Sequence, residues 1–203
     1  AALGGFQSSR LDGVDGQFTV ARLRAALRPP TRSQPPQPLV SAEQTANLGG
    51  GTVWPRAVLI EIATVAKQHG IATHMDGARL MNACVATGVS PREMAEGWDS
   101  AWIDFSKGLG APIGAVIAGS FAFTDQVWRW KQRLGGAMRQ AGVCAAACLY
   151  ALDHHVERLA ADHANATALA RGLAQIAGVN VQEPQTNLVF FDPSGAGLSS
   201  DAL

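Results

Sequence analysis

Short apolar runs alternate with helical spacings along most of the chain. Between residues 12 and 28, Val20, Leu23, Ala26 and Leu27 fall at helical spacing behind Thr19, a side chain suited to cap a helix, and Pro29 ends the segment. Residues 29–38, PPTRSQPPQP, hold five prolines in ten positions, which forbids regular helix and predicts an extended surface loop. PLVSAE (38–43) then reads as a short buried strand, QTANLGGGTVWP (44–55) as a glycine-rich loop, and Pro55 to Gln68 as a helix. The unit recurs. GIATHMD (70–76) is a strand, ARLMNACVATG (78–88) a helix stopped by Gly88, and SPREMAEG (90–97) a helix capped by Ser90 with Pro91 in its first turn. DSAWIDFS (99–106) and GAVIAGS (114–120) follow as strands on either side of GLGAP. This alternation predicts an α/β fold with a mostly parallel sheet covered on both faces. Right-handed crossovers would gather the loops that follow the strands at one edge, where ligands bind.

From Met138 to about Ile176 the pattern lengthens. Leu149, Leu152, Val156, Leu159, Ala166, Leu169, Leu173 and Ile176 form one stripe that predicts one or two long amphipathic helices. After Gly178, VNVQ (179–182) and TNLVFFD (186–192) read as strands that open a smaller α+β unit, which divides the chain into residues 1–150 and 151–203.

Composition narrows the functional classes. Sixteen Lys and Arg balance sixteen Asp and Glu, leaving no electrostatic footprint for nucleic acid or an anionic membrane surface, so the expected partner is a small molecule. Apolar residues at 47% against charged residues at 16% exclude global disorder. Cys84, Cys144 and Cys148 show no C-x-x-C spacing, which argues against a disulfide framework or a metal site and for a reducing cytoplasm. The longest uncharged stretch, 17 residues between Lys107 and Asp125, contains Pro112 and four glycines and does not read as a membrane span. AALGGFQSS lacks the order of a signal peptide. A start at Ala1 and a stop in SGAGLSSDAL, where a helix begins, make the chain read as a fragment.

Two motifs carry chemistry. In HMDGAR, Asp76 ends a buried strand and Arg79 follows three residues later, both at the ligand edge. Read alone, the hexapeptide also suits an Asp that caps the next helix with an Arg paired to it. In DFSKGLGAPIG, Lys107 lies among glycines in an otherwise uncharged stretch, which predicts a concave, partly desolvated amine able to attack carbonyls. An isolated lysine there would ordinarily reach solvent. GLGAPIG is not a dinucleotide loop, because it precedes a strand and lacks the downstream acid. Taken together, an Asp at one strand end and a Lys at the next, 31 residues later, are the layout that pyridoxal phosphate chemistry needs: a carboxylate on the pyridine nitrogen and an amine for the Schiff base.

HMDGAR, SKGLGAPIG and GGAMRQAG resemble motifs of the low-specificity threonine aldolases, in the β-eliminating lyase group of aminotransferase-like (fold type I) pyridoxal phosphate enzymes, and EQTANLGGGTVWP is similar to a looser fourth one. The resemblance covers roughly residues 10–192. It implies an aminotransferase-like large domain followed by the start of a small C-terminal one. It further implies that Lys107 binds pyridoxal 5'-phosphate covalently, that Asp76 pairs with the ring nitrogen, and that Arg79 lies beside the cofactor oxygen and the substrate carboxylate. Arg139 is implied near the phosphate, at a subunit boundary. Gln132 stands where some members carry lysine, Glu43 and Asn47 receive no chemistry, and His74 is implied to point away. A phosphate-cradling loop and a ring-stacking histidine would lie upstream of Ala1, and a carboxylate-binding arginine after Leu203. The implied reaction is cleavage of threonine or a relative to glycine and an aldehyde by a cytoplasmic homodimer or homotetramer. Elimination, racemisation, transamination and an inactive truncated product stay open.

The remaining conspicuous residues have plainer readings. Cys144 and Cys148 suit small buried positions, His154, His155 and His163 a solvated polar face, and Trp98, Trp102, Trp128 and Trp130 core or interface anchors.

Overall fold

The computed structural model describes residues 3–33 and 35–199. Thr19 caps the first helix as its hydroxyl predicts. Its Oγ1 accepts the Arg22 N–H at 3.2 Å and opens α1 (Val20–Ala26), which buries Leu23. Beyond the proline-rich loop come β1 (Leu39–Glu43) and α2 (Arg56–Gln68), whose buried stripe is Leu59, Ile62, Ala63, Val65 and Ala66. Next are β2 (Ala72–Gly77) and α3 (Leu80–Thr87), the latter ended by Gly88 in the left-handed conformation at φ 72°. A reciprocal pair of bonds between Ser90 and Glu93 starts the single-turn α4 (Pro91–Met94), shorter than the 90–97 helix expected. Then follow β3 (Ser100–Asp104) and β4 (Ala115–Gly119).

The strands form one sheet in the order β1-β2-β3-β4, with β1, β2 and β3 parallel and β4 antiparallel to β3. The expected α/β sheet is present, but only one face of it is covered among the described residues. Val40, Ala42 and Met75 join Leu23, Leu59, Ile62 and Met94 in one core, whereas the alternate positions Leu39, Ser41 and Ala72 are exposed, and every residue of β4 is exposed.

The pattern predicted no element over 121–133, where the structure forms α5 (Phe121–Arg133), with Ser120 Oγ accepting the Phe123 N–H at 3.2 Å. This helix buries no residue. Trp128 and Trp130 on it are therefore not core residues; they stand 52% and 47% exposed, with the cations of Lys131 and Arg133 over their rings.

The long stripe also needs correction. A turn over 155–158 separates α6 (Gly142–His154) from α7 (Leu159–Leu173), so one continuous face does not form. Cys148, Ala151, Leu159, Ala166 and Ala170 face inward, while Leu149, Leu152, Leu169 and Ile176 are exposed. Small side chains on the inner face allow close approach, and Cys148, Ala151 and Leu159 form a second core with Met81, Phe105 and Leu109. Cys144 is only half-buried.

Both expected C-terminal strands shrink to two residues, in an antiparallel pair of β5 (Asn180–Val181) and β6 (Phe191–Asp192). The segment between them reaches back to the glycine-rich loop. Gln182 Nε2 donates to Gly49 O at 3.0 Å, Thr186 Oγ1 donates to Gly51 O at 2.7 Å, and the Val53 N–H donates to Gln185 Oε1 at 2.8 Å. Among the described residues no helix is long and apolar enough to cross a membrane.

Candidate active site

Strand alternation decides which side chains reach the open face. In register, Asp76 pairs with Glu43 of β1 and Trp102 of β3, so these three share one face, with His74 one row behind and Asp104 one row ahead. The connections after the three parallel strands meet at this edge as the topology requires. The Gln44 N–H donates to Asp76 O at 2.7 Å and the Arg79 N–H to Gln44 O at 3.1 Å. Gln44 itself is fully buried, its side-chain carbonyl accepting the Trp54 N–H at 3.1 Å and its amide donating to Trp54 O at 3.3 Å, which fixes the loop.

Asp76 is half-buried, and its Oδ1 accepts the Ala78 N–H at 3.1 Å. That bond closes a local turn and does not cap α3, whose cap position is Arg79 with no side-chain bond. Asp76 Oδ2 has no hydrogen-bond partner among the described residues. Nor is Arg79 paired to it: Nη1 donates to Asn47 Oδ1 at 2.9 Å, and Glu43 Oε2 accepts the Asn47 N–H at 3.0 Å. Glu43 and Asn47, without a role in the sequence reading, thus steer the guanidinium. His74 lies on the same face as Asp76, with Nδ1 2.9 Å from Ser100 Oγ, and does not point away. Burial lowers its pKa, against an opposing pull from the Asp76 carboxylate.

Lys107 departs from expectation. Its side chain is 36% exposed and not desolvated, with Nζ 2.5 Å from Asp104 Oδ2 and 5.3 Å from the centroid of the Trp102 ring. The cause is an acid three residues earlier in the chain. Burial raises the pKa of Asp104, but hydrogen bonds from Lys107 and Ser106 outweigh it and hold the carboxyl below its usual value.

The loop that presents Lys107 is tightly folded. The Gly110 N–H donates to Lys107 O at 2.9 Å and the Ala111 N–H to Phe105 O at 2.8 Å. Gly108 lets it press on α7, because a Cβ there would come 2.9 Å from Leu159 Cδ2. His155 Nδ1 donates to Leu109 O at 2.6 Å, and Asn82 Nδ2 donates to His163 Nε2 at 3.1 Å, so neither histidine belongs to a merely solvated face. Arg79, Asp104 and Gly108 line one small cleft between the strand ends and α3. Arg139 is exposed in the α5–α6 connection, away from any hydrogen bond or ion pair among the described residues.

Sequence reasoning missed Asp104, Trp102, Asn47 and His155 as site builders. For Asp104 and Trp102 a signal existed, since W-I-D-F-S-K alternates along the strand that delivers the lysine. No local signal marks His155, which lies 46 residues from its partner.

Comparison with known proteins agrees with this architecture. A family model described as beta-eliminating lyase matches residues 1–195. The chain is 39% identical over 194 residues to low-specificity L-threonine aldolase 1 of Arabidopsis thaliana, covering 93% of this chain and 54% of that protein. It is 37% identical over 191 residues to low specificity L-threonine aldolase of Escherichia coli (strain K12), covering 94% and 56%. The solved structure of Leishmania major threonine aldolase superposes with a TM-score of 0.78 at 21% identity, over 94% of this chain and 56% of that one, a likeness of fold. The chain spans about half the length of the curated relatives it matches. The resemblance carried by HMDGAR, SKGLG and GGAMRQ is borne out, and the chain belongs to the β-eliminating lyase family.

Proposed function

We propose that this chain carries the cofactor-handling part of a pyridoxal phosphate-dependent lyase that cleaves β-hydroxy-α-amino acids, threonine or allo-threonine, to glycine and an aldehyde. One observation carries the reading: an amine and a carboxylate leave adjacent parallel strands on one face, with Asp76 beside Trp102 in register and Lys107 over the Trp102 ring. The family and the names of the relatives select the reaction.

The donor set fits the group. Lys107 is the amine that would hold it, Asp76 Oδ2 is a carboxylate oxygen without a hydrogen-bond partner among the described residues and suited to a protonated ring nitrogen, and Arg79 is a cation held in place by Asn47. When bound, pyridoxal phosphate supplies an aldehyde for the amine and a ring that accepts the electron pair left by a bond broken at the α-carbon. With the group bound, Asp76 would keep the proton on the ring nitrogen, Arg79 would attract the ring oxygen and the substrate carboxylate, and Arg139 would serve the phosphate end from a subunit boundary. The same reading includes a homodimer or homotetramer in the cytoplasm, a small amino acid as substrate, and a change of domain after residue 150.

The test is reduction with borohydride after addition of pyridoxal phosphate, followed by peptide mapping. The chain has three lysines, Lys67, Lys107 and Lys131, which makes the assignment direct. Label on Lys107, lost in Lys107→Ala, is the expected result; label confined to Lys67 or Lys131 would overturn the reading. Glycine and acetaldehyde released from threonine support cleavage, and ketobutyrate would indicate elimination instead.

A further inference from the structure

The seat of Lys107 is built from more than the lysine. Asp104, the last residue of β3, is held at Oδ1 by two donors of Ser106, the N–H at 2.8 Å and Oγ at 2.6 Å. That leaves Oδ2 aimed at Lys107 Nζ, 2.5 Å away. The ring of Trp102, two residues before Asp104 and on the same face, flanks the nitrogen at 5.3 Å. The backbone of the lysine is pinned through its own carbonyl to Gly110 and through Leu109 to His155. A carboxylate and an aromatic ring face are both favourable partners for an ammonium group. An amine engaged this way must leave the carboxylate before it can add to a carbonyl carbon.

We propose that Asp104 is a positioning residue that seats the Lys107 ammonium in the cofactor-free chain and sets how readily its amine reacts with an aldehyde. The proposal rests on the reading of Lys107 as the working amine. Its mechanism is reciprocal: Ser106 orients the carboxylate, the carboxylate holds the ammonium, and the amine becomes available only when that contact opens. No proton is consumed in the exchange, because an ammonium and an aldehyde give a protonated C=N bond and one water.

The test avoids the cofactor. The purified chain and its Asp104→Asn and Asp104→Glu variants are methylated with formaldehyde and cyanoborohydride at one neutral pH. In that reaction Nζ adds to the carbonyl carbon, water leaves, and hydride reduces the C=N bond. The rate at each lysine is then read by peptide mass. Lys107 should react about two- to five-fold faster in Asp104→Asn, the range an exposed ion pair supplies. Rescue by Asp104→Glu should return the rate toward that of the parent, and Lys67 and Lys131 serve as internal references. An unchanged Lys107 rate in Asp104→Asn, or equal acceleration at all three lysines, would overturn the proposal. Should Asp104→Asn not fold, Ser106→Ala takes its place: loosening the carboxylate should speed methylation of Lys107, and no change would count against the idea. Because pyridoxal phosphate is absent, this result is independent of whether the cofactor labels Lys107.

Discussion

Gly77→Ala separates steric closure from backbone preference. Gly77 ends β2 directly after Asp76 and does not adopt a left-handed φ, so alanine is conformationally allowed. The obstacle is spatial: a Cβ at this position would lie 2.1 Å from the carbonyl oxygen of Trp102 and 3.2 Å from Leu80 Cβ. A carbon and a carbonyl oxygen settle near about 3.3 Å or more, so the ends of β2 and β3 must part by about 1 Å. Overpacking of this kind costs about 1–3 kcal/mol, and a broken ladder bond adds about 1 kcal/mol, for a total of about 2–4 kcal/mol. Gly70→Ala is the matched contrast. Gly70 has φ 67° and nothing within 4 Å of an added Cβ, so it should cost only the left-handed penalty of about 1–2 kcal/mol. Urea unfolding followed by circular dichroism reads both variants, with the slope unchanged and the midpoint lowered. If Gly77→Ala lost less stability than Gly70→Ala, the account of close β2–β3 contact beneath the site would be refuted.

Two further outcomes follow from groups buried near the site. Burial lowers the pKa values of His163 and His74 below 6.5, so just below that value the unfolded chain binds more protons than the folded one. The stabilising contribution is complete above about pH 6.5 and declines as the pH falls through the folded values. His163→Gln should flatten the acid limb of a plot of urea midpoint against pH, and an identical slope would exclude His163 as a cause. Burial also pushes the Cys84 thiol up to about 11, so a thiol reagent at neutral pH should label half-buried Cys144 first and Cys84 only on unfolding; equal rates by mass mapping would contradict this.

Legibility followed distance along the chain. Thr19 and Ser90 identified the starts of their helices because each cap bonds an N–H three residues ahead, a relation wholly contained in the local sequence. The parallel strands were readable for a similar reason, and their ends placed Asp76 and the Lys107 loop on one edge. Burial along α6 and α7 was not readable, because leucines at helical spacing show that a face is apolar and not what packs on it. Here alanine and cysteine turned inward because the close approach of the Phe105–Ala111 loop favours small side chains. The histidines failed in the same way: His163 meets Asn82 across 81 residues, a pairing that no local window contains. The environment of Lys107 differs from the sequence expectation for a local reason: the glycines suggest a pocket, while Asp104, three residues earlier, engages the amine.

The strand β4 has a consequence for handling the molecule. Its sequence Ala-Val-Ile-Ala-Gly is uncharged, every residue is exposed, and its outer side presents unpaired N–H and carbonyl groups among the described residues. Charges, prolines and bulges are the usual means by which proteins blunt such a margin, and this strand has no charge or proline. In a preparation of these 203 residues alone it is therefore a template for intermolecular β-pairing, and loss of soluble protein on concentration should begin there. Val116→Lys, on the face opposite Asp76 and Trp102 because Val116 pairs with Ile103, would protect solubility while leaving the Asp76 and Lys107 edge of the sheet intact.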